Sequence, residues 1–130
     1  MAAKLTDEQQ ALLREKNLAQ VVTLMADGSP QISPVWVDTD GEHVVINSED
    51  GRVKVRNMRR DPRVAVGIYD SKNPYTRVLN IRGRVVELDP KGAKEHIDFL
   101  SEKYDGVTPY PNHNPNRPRL IIKILPERVY

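Results

Sequence analysis

Short β-rich runs separated by tight-turn dipeptides limit the folds open to this chain more than any other feature. Residues 21–25 are followed by Asp27-Gly28, and residues 32–37 are followed by Asp40-Gly41 and a third run at 43–47. Aspartate-glycine pairs favour two-residue hairpin turns because glycine adopts positive φ without strain. We therefore predict a three-stranded meander, which restricts the fold to classes that contain an antiparallel sheet.

Helix signals stand on either side of this meander. Thr6 and Gln9 have the spacing of a capping box, which predicts a short helix that ends before Leu18. A second short helix is predicted at residues 52–60, and Asp61-Pro62 ends it because the residue before proline avoids the α region. Residues 63–69 alternate apolar and other side chains and are predicted to form a strand.

The second half of the chain continues the β pattern. A long strand is predicted at residues 78–88, where Gly83 marks a bend or bulge, and a final strand at 120–124. Between them, four of the ten prolines fall in residues 105–119, which are predicted to be irregular. A further helix is predicted to start near Pro90, with one buried face formed by Ala93, Ile97, Leu100 and Tyr104.

Taken in order, these elements predict a mainly β fold with short helices. Six short strands and the intervening helices favour a closed or split antiparallel β-barrel. The 130 residues suffice for one core, and we expect a single domain over residues 1–130. The N-terminus has no apolar signal-peptide region and no apolar run is long enough to cross a bilayer, so a cytoplasmic location is expected.

The side chains offer little support for catalysis by the protein alone. The chain has no cysteine, its three histidines lack the spacing of a metal site, and no G-x-S-x-G motif is present. We therefore predict no catalytic side chain and no metal ligand. An enzyme with this sequence would depend on a bound cofactor for its reactivity.

Positive charge is concentrated in one segment. The whole chain carries a net charge of only +2, yet residues 52–63 hold six basic residues against one acid, which gives +5 and leaves −3 elsewhere. A helix N-terminus after Gly51, with the fork of Arg52 and the point charge of Lys54, suits a phosphate ester. A solvated helix face with ordinary surface arginines explains the charge equally well.

Residues 48–63 resemble a known phosphate-binding segment. They fit the pattern S-x-x-x-R-x-K-x-x-N-x-x-x-D-P-R, which is similar to that of the pyridoxamine-phosphate-oxidase-like split β-barrel proteins. Within these proteins the segment resembles that of the F420-dependent B branch of the flavin/deazaflavin oxidoreductases. The similarity extends through residues 27–36, 80–85, 104–106, 109–111 and 125–130, and so covers nearly the whole chain.

The resemblance implies a homodimer with two cofactor sites at the subunit interface and a hydride transfer between coenzyme F420 and a small organic substrate. Arg52 and Lys54 would hold the cofactor phosphate, with Ser48 nearby. The surplus arginines Arg56, Arg59 and Arg60 would face the polyglutamate tail of F420. The other residues implied to contact the cofactor are Ser33, Pro34, Val35 and Trp36, through their strand, and Tyr75 and Arg77, where the second subunit approaches.

Several alternatives remain open on the sequence. Trp36 is as well explained by core packing as by contact with the cofactor ring. FMN is the alternative cofactor, in an oxidase or flavin reductase of the same fold, and a non-catalytic F420 carrier is a further possibility. Nucleic-acid binding is disfavoured because aromatic residues make up only 5% of the chain and form no stacking platform.

Overall fold

The local elements follow the sequence pattern closely. The computed structural model describes residues 2–130, in which the capping box of Thr6 and Gln9 is formed at the first helix. Among these residues there are three helices and seven strands: α1 (Asp7–Arg14), β1 (Ala19–Leu24), β2 (Pro30–Val35), β3 (Val37–Thr39), β4 (Val44–Glu49), α2 (Val53–Arg60), β5 (Arg63–Tyr69), β6 (Val78–Asp89), α3 (Ala93–Asp105) and β7 (Arg119–Val129).

The predicted antiparallel sheet is confirmed, but the predicted meander and the count of six strands are wrong. All seven strands form one antiparallel sheet in the order β2-β1-β5-β6-β7-β4-β3. The run predicted as one strand at 32–37 divides at Trp36 into β2, which pairs with β1, and β3, which pairs with β4. The division escaped the sequence analysis because β-propensity is continuous across Trp36.

This division closes the sheet into a half-barrel. β2 and β3 lie at opposite edges of the sheet, yet only Trp36 separates them in the chain. Two peptide steps span at most about 7 Å, so the two edges must approach each other at Trp36. The sheet therefore curls, as expected for a split β-barrel, and its two edges meet at one residue.

The main hydrophobic core lies on the concave side of the curled sheet. Strand residues such as Ile46, Ile68 and Ile122 are almost completely buried, and α1 and α2 add Leu13 and Val55. A smaller cluster forms under α3, where Ile97, Leu100 and Tyr104 pack against Trp36 and Tyr110, so the predicted buried face of this helix is confirmed.

The bend predicted at Gly83 is also confirmed. The pairing of β6 with β7 shifts register between Arg82 and Gly83 and again between Val85 and Glu87. A Cβ atom at Gly83 would lie 2.7 Å from the carbonyl oxygen of Leu125, so only glycine allows this approach of two backbones.

The segment between α3 and β7 contains no helix or strand, as its prolines predict. It is called the proline loop below and comprises residues 106–118. Asp98 of α3 fixes this loop by accepting hydrogen bonds from the backbone N–H of Tyr110, at 2.8 Å, and from Nε2 of His113, at 2.7 Å. No helix in residues 2–130 has the length and apolar character needed to cross a membrane.

Candidate functional site

A cavity of about 400 Å³ opens where the two sheet edges meet, and it is called the first cavity below. It is bounded by the end of β2, the start of α2, the buried face of α3 and the proline loop. Six of the nine residues predicted to contact a cofactor line it: Pro34, Val35, Trp36, Ser48, Arg52 and Lys54.

Trp36 forms an aromatic wall of the first cavity. Its ring stacks on Tyr104 with centroids 5.4 Å apart and planes 3° apart, and it meets the Tyr110 ring edge-on at 6.1 Å. Tyr104 is itself fixed, because its hydroxyl accepts a hydrogen bond from the Val37 N–H and donates one to the carbonyl of Asn17. Trp36 thus packs in the smaller core and lines the cavity at the same time, so packing does not exclude ligand contact.

Lys54 is a half-buried cation of the first cavity. Its ammonium group makes no hydrogen bond or ion pair with any residue in the range 2–130. Burial lowers the pKa of Lys54, and the neighbouring positive charges of Arg52 and Arg119 lower it further. Both effects disfavour the charged form of Lys54. A bound anion would directly offset the repulsion from Arg52 and Arg119.

Arg52 lies at the N-cap of α2, immediately after Gly51, whose φ of +99° requires glycine. The guanidinium donates to Oε1 of Glu49 through Nε, at 3.0 Å, and through a terminal nitrogen, at 2.6 Å. The Arg52 side chain is nevertheless 60% exposed. Glu49 therefore orients the Arg52 guanidinium at the cavity rim, and the anion-binding role of Arg52 stays a prediction.

Arg119, at the first position of β7, was missed by the sequence analysis. Its Nε donates a hydrogen bond of 2.6 Å to Oδ1 of Asn47, and its guanidinium lies 5.3 Å from the Tyr110 ring centre. Burial lowers the pKa of Arg119, and no carboxylate of the described chain lies within 4.0 Å of its nitrogen atoms. Arg119 is thus a second cation of the first cavity without an acidic partner.

The buried amide of Asn47 determines where Arg119 lies. Asn47 Nδ2 donates to the carbonyl of Ala93 and to Nδ1 of His96, each at 3.0 Å, which leaves Oδ1 free to accept from Arg119. Burial lowers the pKa of His96, which favours the neutral ring that this arrangement needs. In the sequence, Arg119 stands out only as a charged residue at the start of a strand.

The remaining predicted site residues lie elsewhere. Ser33 is on β2 but outside the first cavity, and its hydroxyl oxygen is buried without a hydrogen-bond partner in residues 2–130. Tyr75 is 94% exposed in the loop between β5 and β6, and Arg77 forms ion pairs with Glu15 and Asp70. Their predicted role involves a second subunit and stays a prediction. Ser48 is buried in the cavity wall.

The surplus arginines of α2 do not line the first cavity. Arg59 forms an ion pair with Asp50, and Arg60 donates to the carbonyl of Leu24 and to Asn57. Arg56 is exposed on the same helix. The +5 of this segment is therefore partly compensated by acids just outside it, and the uncompensated charge in the cavity comes from Lys54 and Arg119.

Comparison with known proteins identifies the fold. The model of the family described as pyridoxamine 5'-phosphate oxidase matches residues 5–130. The chain belongs to this family. The predicted split-barrel fold is thereby confirmed, and with it the relationship to flavin and deazaflavin oxidoreductases. Among proteins with curated descriptions, none matches this chain.

Several solved structures superpose over almost the full chain. A protein named F420 reductase is 29% identical with a TM-score of 0.85, and the match covers 97% of this chain and 98% of that one. A conserved hypothetical protein from Mycobacterium tuberculosis is 21% identical with a TM-score of 0.74, covering 98% and 84% of the two chains. A FAD-binding protein from Mesorhizobium loti is 19% identical with a TM-score of 0.65, covering 99% and 95%. The last two show the fold alone.

Proposed function

We propose that this protein is an F420-dependent oxidoreductase that transfers a hydride between the deazaflavin and a small organic substrate. The observation that carries the proposal is the half-buried, unpartnered ammonium of Lys54 beside Arg52 and Arg119, in a cavity with an aromatic wall. The similarity to a protein named F420 reductase supports the choice of cofactor.

The charged end of the cavity fits a phosphate group. Lys54 and Arg119 each lack an acidic partner in residues 2–130, and a phosphate would supply the missing negative charge. Arg52 would add its fork at the rim, and the N-terminus of α2 would add partial positive charge. Ser48, buried at the end of β4, would offer a hydroxyl beside them.

The apolar end of the cavity fits a planar ring system. Pro34 and Val35 belong to β2, which is an edge strand of the sheet. One line of backbone N–H and C=O groups on an edge strand has no strand partner, so the stretch from Ser33 to Trp36 can recognise the polar edge of a ring. Pro34 has no N–H to offer, which is tolerated at a sheet edge.

The deazaflavin, when bound, supplies the hydride chemistry. The protein's own residues would bind and orient it: the cations hold the anionic end, and the fixed Trp36–Tyr104 pair shapes the ring end. Ile97 and Leu100 line the same cavity and would help to exclude water from the ring. Tyr110, on the proline loop, also lines the cavity and is a candidate to supply a proton to the reduced substrate.

We further propose that the protein functions as a homodimer, with the cofactor at the subunit interface. Tyr75, with 94% of its surface exposed, and Ile32 on edge strand β2, with 61% exposed, are large apolar side chains that a partner subunit would cover. Tyr75 and Arg77 would then approach the cofactor bound to the partner subunit.

The cofactor that copurifies from a host able to make F420 is the first test, followed by turnover assays with reduced F420 and a panel of activated alkenes, quinones and tetrapyrroles. Copurified F420 and turnover of at least one compound are expected. Copurified FMN would instead indicate an oxidase or flavin reductase of the same fold. Tight F420 binding without turnover of any compound would indicate a carrier protein.

A further inference from the structure

A second cavity, of about 490 Å³, lies beneath the proline loop and adjoins the first. Glu49 and Arg119 line both cavities, so the Arg119 guanidinium stands at their boundary. The second cavity has the size of an ordinary small-molecule site. The proposed function gives no role to the residues that line it alone.

The second cavity is strongly cationic. Lys94, Arg117 and Arg119 line it, and none of the three forms an ion pair with a carboxylate of residues 2–130. The carboxylate of Glu49 already accepts two hydrogen bonds from Arg52, and His113 is paired with Asp98. The lining therefore carries three positive charges, none of them in an ion pair within the described chain, against the single negative charge of Glu49, which is paired with Arg52.

Four apolar residues line the second cavity, together with the polar Asn112, His113 and Asn114. Pro90 and Ala93 form one side of it, and Pro115 and Pro118 of the proline loop form another. Inorganic phosphate would use the charges but leave these surfaces without contact. A carboxylic acid with an apolar body satisfies both parts of the lining, because its carboxylate meets the cations while its hydrocarbon portion covers the prolines.

We propose that the second cavity binds a small organic acid with an apolar body, whose carboxylate contacts Lys94, Arg117 and Arg119. The shared chemistry is a carboxylate, which a separate molecule or the glutamate tail of a bound cofactor could bring. The apolar lining favours the separate molecule. Such an acid would be the substrate class of the enzyme, and this extension rests on the proposed function.

The test uses benzoate as the probe and benzamide as its uncharged analogue of the same shape. Each is titrated into the full chain, without any deazaflavin, while backbone amide resonances are followed by NMR. We expect saturable benzoate shifts at Lys94, Asn114 and Arg117, and none with benzamide. The Lys94→Gln/Arg117→Gln double variant should bind benzoate about fivefold more weakly or worse.

A matched control removes the same charge elsewhere. Lys4 and Arg14 are exposed near α1 and outside the second cavity, so Lys4→Gln/Arg14→Gln should bind benzoate like the unaltered protein. All four substituted residues are exposed, and dispersed amide spectra will show that both variants fold. Equal weakening in both double variants would overturn the proposal, because it would show a general effect of net charge.

Two further outcomes would also overturn it. Benzoate shifts restricted to Trp36, Ser48 and Lys54 would assign the carboxylate to the first cavity. Tighter binding of triglutamate than of benzoate would show that the site recognises charge without an apolar body, as a cofactor tail would require. Because the titration contains no deazaflavin, a failure of F420 binding would leave its result unaffected.

Discussion

Asn47 Oδ1 accepts a hydrogen bond of 2.6 Å from Arg119 Nε, and this contact fixes the guanidinium at the boundary of the two cavities. The contact joins β4 to β7 through side chains. The same amide donates to Ala93 and His96 of α3. One buried residue therefore connects β4, β7 and α3 at the charged end of the site.

Asn47→Ala should therefore affect both stability and binding. It leaves the Arg119 Nε–H and the His96 Nδ1 without their partner, which should cost about 1–3 kcal/mol of the free energy of unfolding. Urea denaturation measures this loss, and titration with F420 should show weaker binding because Arg119 is no longer oriented. Asn116→Ala, at an exposed position of the proline loop, is the control and should change neither quantity.

Lys54→Ala should weaken F420 binding by about 1.5–3 kcal/mol, roughly a tenfold to hundredfold loss, because it removes a charge-assisted contact. The free energy of unfolding should not fall, since the side chain has no partner in residues 2–130 and its burial penalises the charge. Arg14→Ala removes an exposed charge on α1, outside the first cavity, and should leave the affinity nearly unchanged. Equal affinities of the two variants would show that Lys54 is an ordinary surface residue.

His96 should make the fold less stable in mild acid. Burial is the main cause that lowers its pKa below the usual 6.5, with the charge of Arg119 acting in the same direction and that of Asp38 opposing it. The unfolded chain then binds a proton more readily than the folded one. The contribution of the neutral His96 ring to the free energy of unfolding is therefore complete above pH 6.5 and is lost as the pH falls through the folded pKa.

The measurement for His96 is the free energy of unfolding between pH 7.5 and pH 5, in the protein and in the His96→Gln variant. The decrease on acidification should be smaller in the variant. Comparison with the variant removes the contributions of the other titrating groups. Parallel pH profiles would contradict the role given to His96.

Gly83→Ala should destabilise the barrel by about 1–3 kcal/mol, because the added methyl group meets the backbone oxygen of Leu125 at 2.7 Å. Gly67→Ala on the neighbouring strand is the matched comparison. There the new Cβ meets only the side-chain oxygen of Asn80, at 3.2 Å, which can move. Thermal unfolding should show the larger loss at Gly83, and the reverse order would contradict the bulge as the reason for this glycine.

Local features of the fold could be predicted from the sequence because their causes are local. The capping box at Thr6 and the stop before Pro62 each depend on residues close together in the chain, and the glycine at position 83 is itself a local signal for the bend. The edges of the sheet could not be predicted, since the division of one β-rich run at Trp36 depends on which strands pair far away in the sequence.

The candidate site shows the same distinction. Arg52 and Lys54 lie within one segment with a recognisable pattern, and the structure places both in the first cavity. Arg119 comes from the far end of the proline loop, and only the pairing of β4 with β7 brings it opposite Glu49. The charge count of residues 52–63 also left out Asp50, which pairs with Arg59 in space.

The most direct measurement of the central claim is a fluorescence titration of the purified protein with F420 and, separately, with FMN. Trp36 is the only tryptophan and lines the first cavity, so its emission reports on occupancy of that cavity. The account predicts saturable quenching by F420 at lower concentration than by FMN, and quenching of Lys54→Ala by F420 only at higher concentration than the unaltered protein needs. Binding of FMN without binding of F420 would contradict it.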